Sequence, residues 1–213
     1  GCREQPAETE DAVRDAAAPE RVGETDHVLL RAEEHRARRL LPRDGALGTH
    51  TAQLPTLRPH RLAIGCYDIE GEPGVSERFV RTDRFELDVD GESTVVAAAA
   101  GKKRPAFILV NDDDLTYTKL RFDADSLSFA LANLQRFDDA LARAVVWLSL
   151  WDMTRDGDLA AEKFIDTTLA LLATETESTT FRYALSCMST TAWHYTAPDR
   201  RADVVKHVAK ELW

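Results

Sequence analysis

The sequence predicts an α+β protein, in which a small antiparallel β-sandwich is followed by αα-hairpins of a helical-repeat domain, behind a poorly ordered N-terminal segment. Three observations predict this fold class. The 4 Trp, 4 Tyr and 8 Phe all lie from Tyr67 onward, so the preceding residues lack the side chains that bury most area. Short β-rich runs occupy residues 57–110. After them, apolar residues recur at helical spacing to the end of the chain.

The N-terminal segment comprises residues 1–53. Residues 1–26 combine proline, glycine and many charged side chains with few apolar ones, which favours a solvated, disordered tail. From Asp26 to Leu41, leucines at near-helical spacing beside arginines predict a short amphipathic helix that ends at Pro42. The basic face of this helix could contact an anionic partner, although a run of charge usually means only a solvated face.

The β-sandwich is predicted over residues 54–111. Leu62–Tyr67 forms one run, and the alternation of apolar and acidic residues near the end of Arg78–Val89 is typical of a half-buried strand. Asp90-Gly91 is a two-residue hairpin signal, which should return the chain into a strand that begins at Ser93. Phe107–Val110 is continuously apolar, so we expect a strand that is covered on both faces.

The helical domain is predicted over residues 112–213. Five apolar stripes with i, i+3, i+4 spacing predict five helices with short connections, packed as a bundle or as a curved stack of helix pairs. Asp125 or Ser126 is the expected N-cap of the first helix, the second begins near Asp139, and Asp199 is the expected N-cap of the last. Because the chain stops inside a helical pattern, we expect a domain truncated at its C-terminus.

Composition and charge exclude several function classes. The net charge of -10 offers no field that would attract a polyanion, so no nucleic acid is expected. No apolar stretch is long enough to cross a bilayer and the N-terminus lacks a signal-peptide core, so a cytoplasmic protein without membrane contact is expected. The three cysteines stand far apart, which indicates neither a disulfide framework nor a thiolate zinc site.

The sequence contains no catalytic motif, so no catalytic, cofactor-binding or metal-ligating residue is predicted in this chain. The six histidines are His27, His35, His50, His60, His194 and His207. None belongs to an HExxH pair, and the nearest candidate, Glu34-His35, has Arg31 where the first histidine should stand. His194, near a helix end, is better explained as a packed or capping residue than as a ligand. Nucleophile-elbow and phosphate-loop motifs do not occur.

The run Asn111–Asp114 places three carboxylates directly after a predicted buried strand. Oxygen-rich clusters of this kind can bind calcium or magnesium, but the alternating ligands, the glycine and the distant glutamate of a calcium loop are missing. We expect these side chains to satisfy turn and cap amides instead, with Lys119 and Arg121 as their charge partners.

Three segments resemble the C-terminal half of the aminopeptidase N family, particularly its actinobacterial members. They are Pro55–Gly65, Phe107–Lys119 and Leu141–Asp156, within a match that runs from about residue 54 to the end. The resemblance implies a small β-sandwich followed by the beginning of a helical-repeat domain that cups over the active site. It covers about three quarters of the chain and agrees with the order of elements predicted above.

The resemblance implies a zinc-dependent aminopeptidase that releases N-terminal residues from peptides. In the family, HExxH, a downstream glutamate and a GxMEN loop lie in a preceding catalytic domain, and no residue here matches them. The chain is therefore interpreted as a fragment that is inactive alone, without its own cofactor. The missing catalytic domain and the peptide substrate of the full-length protein would be its partners. The alternative is a non-catalytic helical scaffold that binds a peptide or protein.

Overall fold

The computed structural model describes residues 29–31 by their backbone, and residues 59–72, 75–90 and 93–213 in full. Within this part of the chain, the strands are β1 (Leu29–Arg31), β2 (His60–Glu70), β3 (Arg78–Val89), β4 (Ser93–Val95) and β5 (Phe107–Val110). The helices are α1 (Ala124–Asn133), α2 (Ala140–Asp156), α3 (Ala161–Leu171), α4 (Ser178–Thr190) and α5 (Arg201–Leu212). The predicted α+β class, with a small antiparallel sheet ahead of five helices, is confirmed.

Two antiparallel sheets make up the β part. The larger has the order β3-β2-β5, with Ile64 of β2 opposite both Phe85 and Val110, and the smaller pairs β1 with β4. The hairpin predicted between β3 and β4 is therefore wrong. After β3, the Thr94 hydroxyl donates to the Asp90 carbonyl and accepts from the Asp90 amide, and β4 pairs with β1 instead.

The predicted helix over residues 26–41 is also wrong where the structure describes it. Residues 29–31 form strand β1, which pairs with Ser93–Val95. Three residues are too few to define a helical stripe, and pairing with a distant strand decides their conformation. The rest of that predicted helix, and the disordered tail predicted over residues 1–26, lie outside the described residues.

The larger sheet is covered on both of its faces. On one face, buried aromatic residues of the sheet pack against aromatic residues of the helical part. Phe107 lies 5.2 Å from Phe137 between ring centroids in an edge-to-face pair, and Phe79 stacks on Phe137 at 5.1 Å. The other face packs Ile64 and Ile108 in a smaller cluster. The prediction that β5 is buried on both faces is confirmed, whereas the predicted domain boundaries stay predictions.

The N-caps differ from two of the predictions. Asp123, rather than Asp125 or Ser126, caps α1 by accepting from both of their amides. Ser126 instead lies buried and accepts from the Ile108 amide, so its hydroxyl satisfies the outer edge of β5. Helix α5 has no side-chain cap, and its first turn follows backbone hydrogen bonds to the Ala197 carbonyl.

Helix α2 begins as predicted. The Asp139 carboxylate accepts from two amides of its first turn, and Gly157 closes its C-terminus in the left-handed region with φ 85°. Near its start, the guanidinium of Arg143 donates to the Phe137 carbonyl and to both carboxylate oxygens of Glu175. The Glu175 side chain is buried, so this pair fixes the chain before α2 to the loop before α4.

Candidate functional site

The turn after β5 places an unusual backbone beside the sheet. Asp112–Asp114 form a 3-10 turn, and Asn111, Asp113 and Asp114 all have positive φ, at 59°, 64° and 52°. Asparagine and aspartate enter the left-handed region more readily than other non-glycine residues, because their side chains can bond locally. The backbone conformation therefore suits asparagine and aspartate at positions 111, 113 and 114.

Asp112 is the buried centre of the turn, with 1% of its side chain exposed. Its Oδ1 accepts a hydrogen bond of 2.7 Å from the Tyr67 hydroxyl, and its Oδ2 accepts one of 2.7 Å from the Arg81 guanidinium. Burial, reinforced by the hydrogen bond to Asp112, raises the pKa of Tyr67 well above its ordinary value. The tyrosine is thereby kept protonated as a donor.

Asp113 adds a second carboxylate to the same group. Its Oδ1 accepts from Arg81 at 2.8 Å and its Oδ2 from Arg84 Nε at 2.7 Å. The hydrogen bond from Arg81 lowers the pKa of Asp113, and the bond from Arg84 acts in the same direction against the effect of burial. We call Tyr67, Arg81, Arg84, Asp112 and Asp113 the aspartate cluster.

A β-bulge brings the two arginines of this cluster together. Residues three apart on a regular strand point to opposite faces. Arg81 pairs with Tyr67 and Arg84 with Gly65, however, because the register shifts between those pairs and Thr82 is the extra residue. The Thr82 hydroxyl donates to the Cys66 carbonyl at 3.3 Å, which holds the bulge.

Gly65 leaves the space that the buried carboxylate occupies. A Cβ added at this position would lie 2.5 Å from Asp112 Oδ2 and 2.7 Å from Tyr67 Cε2. Real Cβ contacts are essentially never shorter than 3.0 Å. A glycine is therefore required in the middle of β2 by the close approach of the aspartate cluster.

The cluster is built as a closed ion-pair network. All four carboxylate oxygens of Asp112 and Asp113 already accept hydrogen bonds from Tyr67, Arg81 or Arg84. A cation would have to displace a guanidinium to reach them. Among the described residues, no group of three or more His, Cys, Asp and Glu side chains is arranged to hold a metal ion.

The charge partners predicted for this turn are wrong. Lys119 donates to both oxygens of Asp156 at 3.0 and 2.9 Å, and Arg121 pairs with Asp156 and Asp158. The charge partners of Asp112 and Asp113 are Arg81 and Arg84 instead. Burial alone would raise the pKa of Asp156, but the hydrogen bonds from Lys119 and Arg121 outweigh it and lower that pKa.

Residues 115–121 form a segment without regular secondary structure, which we call the connecting segment. The Asn111 side chain clamps its start, donating to the Thr116 carbonyl at 2.8 Å and accepting from the Thr116 amide at 3.1 Å. His60 Nδ1 lies 3.0 Å from the Thr116 hydroxyl. Leu120 is buried, whereas Leu115 is 47% exposed and Tyr117 is 103% exposed.

The described histidines do not form a common site. His60 lies on β2 and bonds Thr116, while His207 lies on α5 with Nε2 3.5 Å from Asp166. His194 is exposed in the π-helical turn after α4, so of the two roles predicted for it, packing is wrong and capping stays a prediction. His27, His35 and His50 lie outside the described residues. The residues present therefore give no zinc ligand set in the part of the chain that the structure describes.

Two grooves of about 200 and 210 Å³ flank α5. The first, against α3, carries charged side chains that include Asp166, Arg200 and His207. The second, against α4 and the π-helical turn, is almost wholly apolar and includes Leu185, Trp193 and Leu212. Neither groove includes a residue of the aspartate cluster.

The fold defines the class of protein: a small antiparallel sheet packed against the first of several consecutive helices. A family model described as ERAP1-like C-terminal domain matches residues 107–213, which is half of the chain. The chain belongs to this family. The matched range begins at β5 and includes the turn, the connecting segment and all five helices described above.

One curated relative extends the comparison. Aminopeptidase N of Streptomyces lividans is 49% identical over 123 residues, which cover 58% of this chain and 14% of that protein. The chain thus spans a small part of the relative that it matches. The resemblance to the C-terminal region of the aminopeptidase N family, stated above from the sequence, is confirmed.

In the described part of the chain, no helix has both the length and the apolar character needed to cross a membrane.

The sequence drew attention to Asn111–Asp114 but missed the partners of these residues. Tyr67, Arg81 and Arg84 come from two other strands, and the bulge at Thr82 decides which side each arginine faces. One signal in the sequence was available. Gly65 interrupts an apolar strand, and an isolated glycine in a strand often marks a close approach of another group.

Proposed function

We propose that this chain is the C-terminal region of a zinc-dependent aminopeptidase, in which it supplies the β domain and the helical domain that encloses the substrate. The observation that carries the proposal is the 49% identity to aminopeptidase N over 123 residues. Membership of the ERAP1-like C-terminal domain family supports it. Release of N-terminal residues from peptides would then be the activity of the full-length protein.

In this proposal, the chain forms part of the wall that encloses and orients the peptide, and the catalytic domain carries out the reaction. Zinc, in the catalytic domain, would supply the activated water that attacks the peptide bond. The aspartate cluster and the pair Arg143–Glu175 hold the turn after β5 and the beginning of α2 in fixed places. A rigid wall of this kind orients a bound peptide and keeps water away from the reaction. The catalytic domain and a peptide are the proposed partners, and a cytoplasmic location stays a prediction.

A chimera tests the proposal. The 123-residue region of Streptomyces lividans aminopeptidase N that aligns with this chain is replaced by the corresponding residues of this chain. Hydrolysis of an aminoacyl-anilide is then measured for the chimera, the unchanged enzyme, and the isolated 213-residue chain with added zinc. We expect activity within about tenfold of the unchanged enzyme, a loss of less than ~1.4 kcal/mol of transition-state stabilisation.

The isolated chain serves as the negative control and should release no product. A folded chimera that is inactive would contradict the proposal and favour a scaffold that binds a peptide or protein without catalysis. Folding of the chimera is checked by circular dichroism and by a cooperative thermal transition. Product released by the isolated chain in a chelator-sensitive manner would also contradict it.

A further inference from the structure

Strand β3 forms one edge of the larger sheet. The strand order is β3-β2-β5, so β2 pairs with only one side of β3. Within the described residues, the single strand contact on the other side is the isolated bridge between Phe79 and Phe137, near the start of β3. In that part of the chain, residues 83–89, beyond the bulge at Thr82, therefore present a regular edge without a partner strand. Such an edge is a template for pairing with another strand.

The side chains of this edge alternate between the two faces of the sheet. Arg84, Glu86 and Asp88 lie on the face of the aspartate cluster and make ion pairs there. Phe85 and Leu87 lie on the opposite face, where they pack half-buried against the smaller apolar cluster. A strand that adds to this edge therefore meets a charged row on one face and an apolar row on the other.

A second copy of β3 can extend the sheet in only a few registers. Residues that lie opposite each other in an antiparallel pair point to the same face, so the two-fold axis has to pass through a residue. Like charges directly opposite each other are destabilising. Four axes place a charged residue opposite its own copy, and they pass through Asp83, Arg84, Glu86 and Asp88. An axis through Leu87 places Glu86 opposite Asp88, which is also a like-charge pair.

An axis through Phe85 avoids all of these like-charge pairs. It places Arg84 opposite Glu86 of the second copy and, by symmetry, Glu86 opposite Arg84 of the second copy. Phe85 then lies opposite its own copy, and aromatic pairs across two strands stabilise a sheet. The charges of β3 therefore select one register of self-pairing.

Both charged groups keep capacity for these contacts. Arg84 uses Nε for Asp113 and Nη1 for Glu86, so its Nη2 makes no hydrogen bond within the described part of the chain. Each carboxylate oxygen of Glu86 accepts one hydrogen bond, from Arg84 or from Arg61, and such an oxygen has two lone pairs. The Arg84 side chain is 29% exposed and that of Glu86 is 43% exposed, so both are accessible to a second copy.

We propose that two copies of this chain pair through β3 about Phe85, which joins their three-stranded sheets into one continuous sheet of six strands. A short strand pair buries less surface than the roughly 1,200–2,000 Å² of a stable interface, so we expect a dissociation constant on the order of 100 µM. The inference concerns a surface of this chain alone and does not depend on the proposed function.

Exchange of the paired charges tests this register. The 213-residue chain, Glu86→Arg and Arg84→Glu are compared by sedimentation at concentrations above and below the expected dissociation constant. Each substitution places like charges opposite each other at both symmetric positions, so dimer formation should weaken at least about tenfold. An equal mixture of the two variants has opposite charges at both positions, and should form a heterodimer within about threefold of the parent affinity.

Asp88→Arg is the matched control for the change in charge. It makes the same change as Glu86→Arg two residues farther along β3, but it lies opposite the uncharged Thr82 of the second copy. Dimer formation should stay within about threefold of the parent. Circular dichroism and a cooperative thermal transition check that each variant is folded.

Single cysteines give a second measurement that does not depend on the charges. In a Cys2→Ser background, Phe85→Cys places two thiols directly opposite each other, at a separation that a disulfide can span. Mild oxidation should therefore cross-link the dimer. Leu87→Cys lies on the same face but opposite Asp83, so it should not cross-link. The native Cys66 and Cys187 are buried and should not interfere.

Three outcomes overturn the inference. A parent chain that stays monomeric at millimolar concentration does not pair through this edge. A dimer that Glu86→Arg leaves unchanged uses another surface, such as the apolar groove beside α5, and Leu212→Glu would then abolish it. Folded charge variants that fail to associate when mixed, or cross-linking at position 87 instead of position 85, would refute the register. If Arg84→Glu does not fold, the two cysteine variants decide.

Discussion

Gly65→Ala is the substitution with the most direct consequence for the aspartate cluster. The new methyl carbon would lie 2.5 Å from Asp112 Oδ2, 2.6 Å from Asp112 Cγ and 2.7 Å from Tyr67 Cε2. Both neighbours are buried, so neither can swing into solvent to make room. Either Asp112 moves, breaking its hydrogen bonds to Tyr67 and Arg81, or the strands separate.

The expected loss follows from these contacts. Overpacking of a buried site costs about 1–3 kcal/mol. A hydrogen bond to a charged group contributes about 1.5–3 kcal/mol. An alanine without strain would instead stabilise by about 0.4–1 kcal/mol through the unfolded state. We expect a net loss of about 3 kcal/mol, equivalent to a decrease in melting temperature of roughly 6–12 °C for a chain of this size.

Urea unfolding, followed by circular dichroism and by tryptophan fluorescence, to which the buried Trp147 and Trp151 contribute, measures the free energy of unfolding. Gly101→Ala is the control for the change of residue type, because a Cβ there would meet nothing within 4 Å and only its φ of 73° opposes it. That control should cost about 1 kcal/mol.

A double-mutant cycle separates the steric contact from any general effect on β2. If the new methyl group displaces the Asp112 carboxylate, Gly65→Ala should lower the free energy of unfolding by less in an Asp112→Ala background. The coupling free energy between the two substitutions should then be at least about 1 kcal/mol. Additivity within about 0.5 kcal/mol, or a Gly65→Ala protein as stable as the parent, would refute the argument that the carboxylate occupies the missing side-chain space.

Three further predictions concern pH, metal ions and thiols. The pKa of Asp113 is lowered, chiefly by the hydrogen bond from Arg81. Burial would raise the pKa of Glu175, but hydrogen bonds from Arg143 and two backbone amides outweigh it and lower that pKa. Both ionised carboxylates therefore stabilise the folded state above the ordinary pKa values of 3.8 and 4.5, and this stabilisation is lost below them. The urea midpoint should therefore fall below about pH 4.5, and Glu175→Gln should flatten this dependence; a midpoint that rises on acidification contradicts it. Millimolar calcium or magnesium should leave the melting temperature unchanged, because guanidinium groups and the Tyr67 hydroxyl already occupy the oxygens of Asp112 and Asp113, and a saturable increase would reveal a site. Burial raises the pKa of Cys66 and raises that of Cys187 to about 11, so a Cys2→Ser variant should show no thiol that reacts with a disulfide reagent near pH 8 until it is unfolded.

The elements that the sequence predicted correctly are those whose signals are local. Helix α2 begins after the capping carboxylate of Asp139, which acts within the first turn of the helix. Strand β3 extends over Arg78–Val89 as predicted, since alternation along a strand needs no knowledge of its neighbour. Local chemistry is sufficient for both.

Pairing between distant segments could not be predicted in the same way. Strand β4 follows a hairpin signal, yet it pairs with β1. Strand β1 has only three residues, which is too short for a strand pattern to be recognised within the predicted helix. Ser126 was predicted as a cap because its position and chemistry suit one. Its hydroxyl instead accepts from Ile108, a contact that depends on where β5 runs.

At the candidate site, the sequence identified the carboxylate run but not the residues that bind it. Asn111–Asp114 drew attention as a carboxylate run, but the environment of these carboxylates is set by a bulge that no local pattern announces. The extra residue Thr82 turns Arg81 and Arg84 to the same face, and the bare Gly65 between them and β5 admits Asp112. With two guanidinium groups and a phenol as partners, the carboxylates stabilise the turn. The same turn directs the chain into the connecting segment, so the geometry that closes one candidate site is also what presents Tyr117 to solvent.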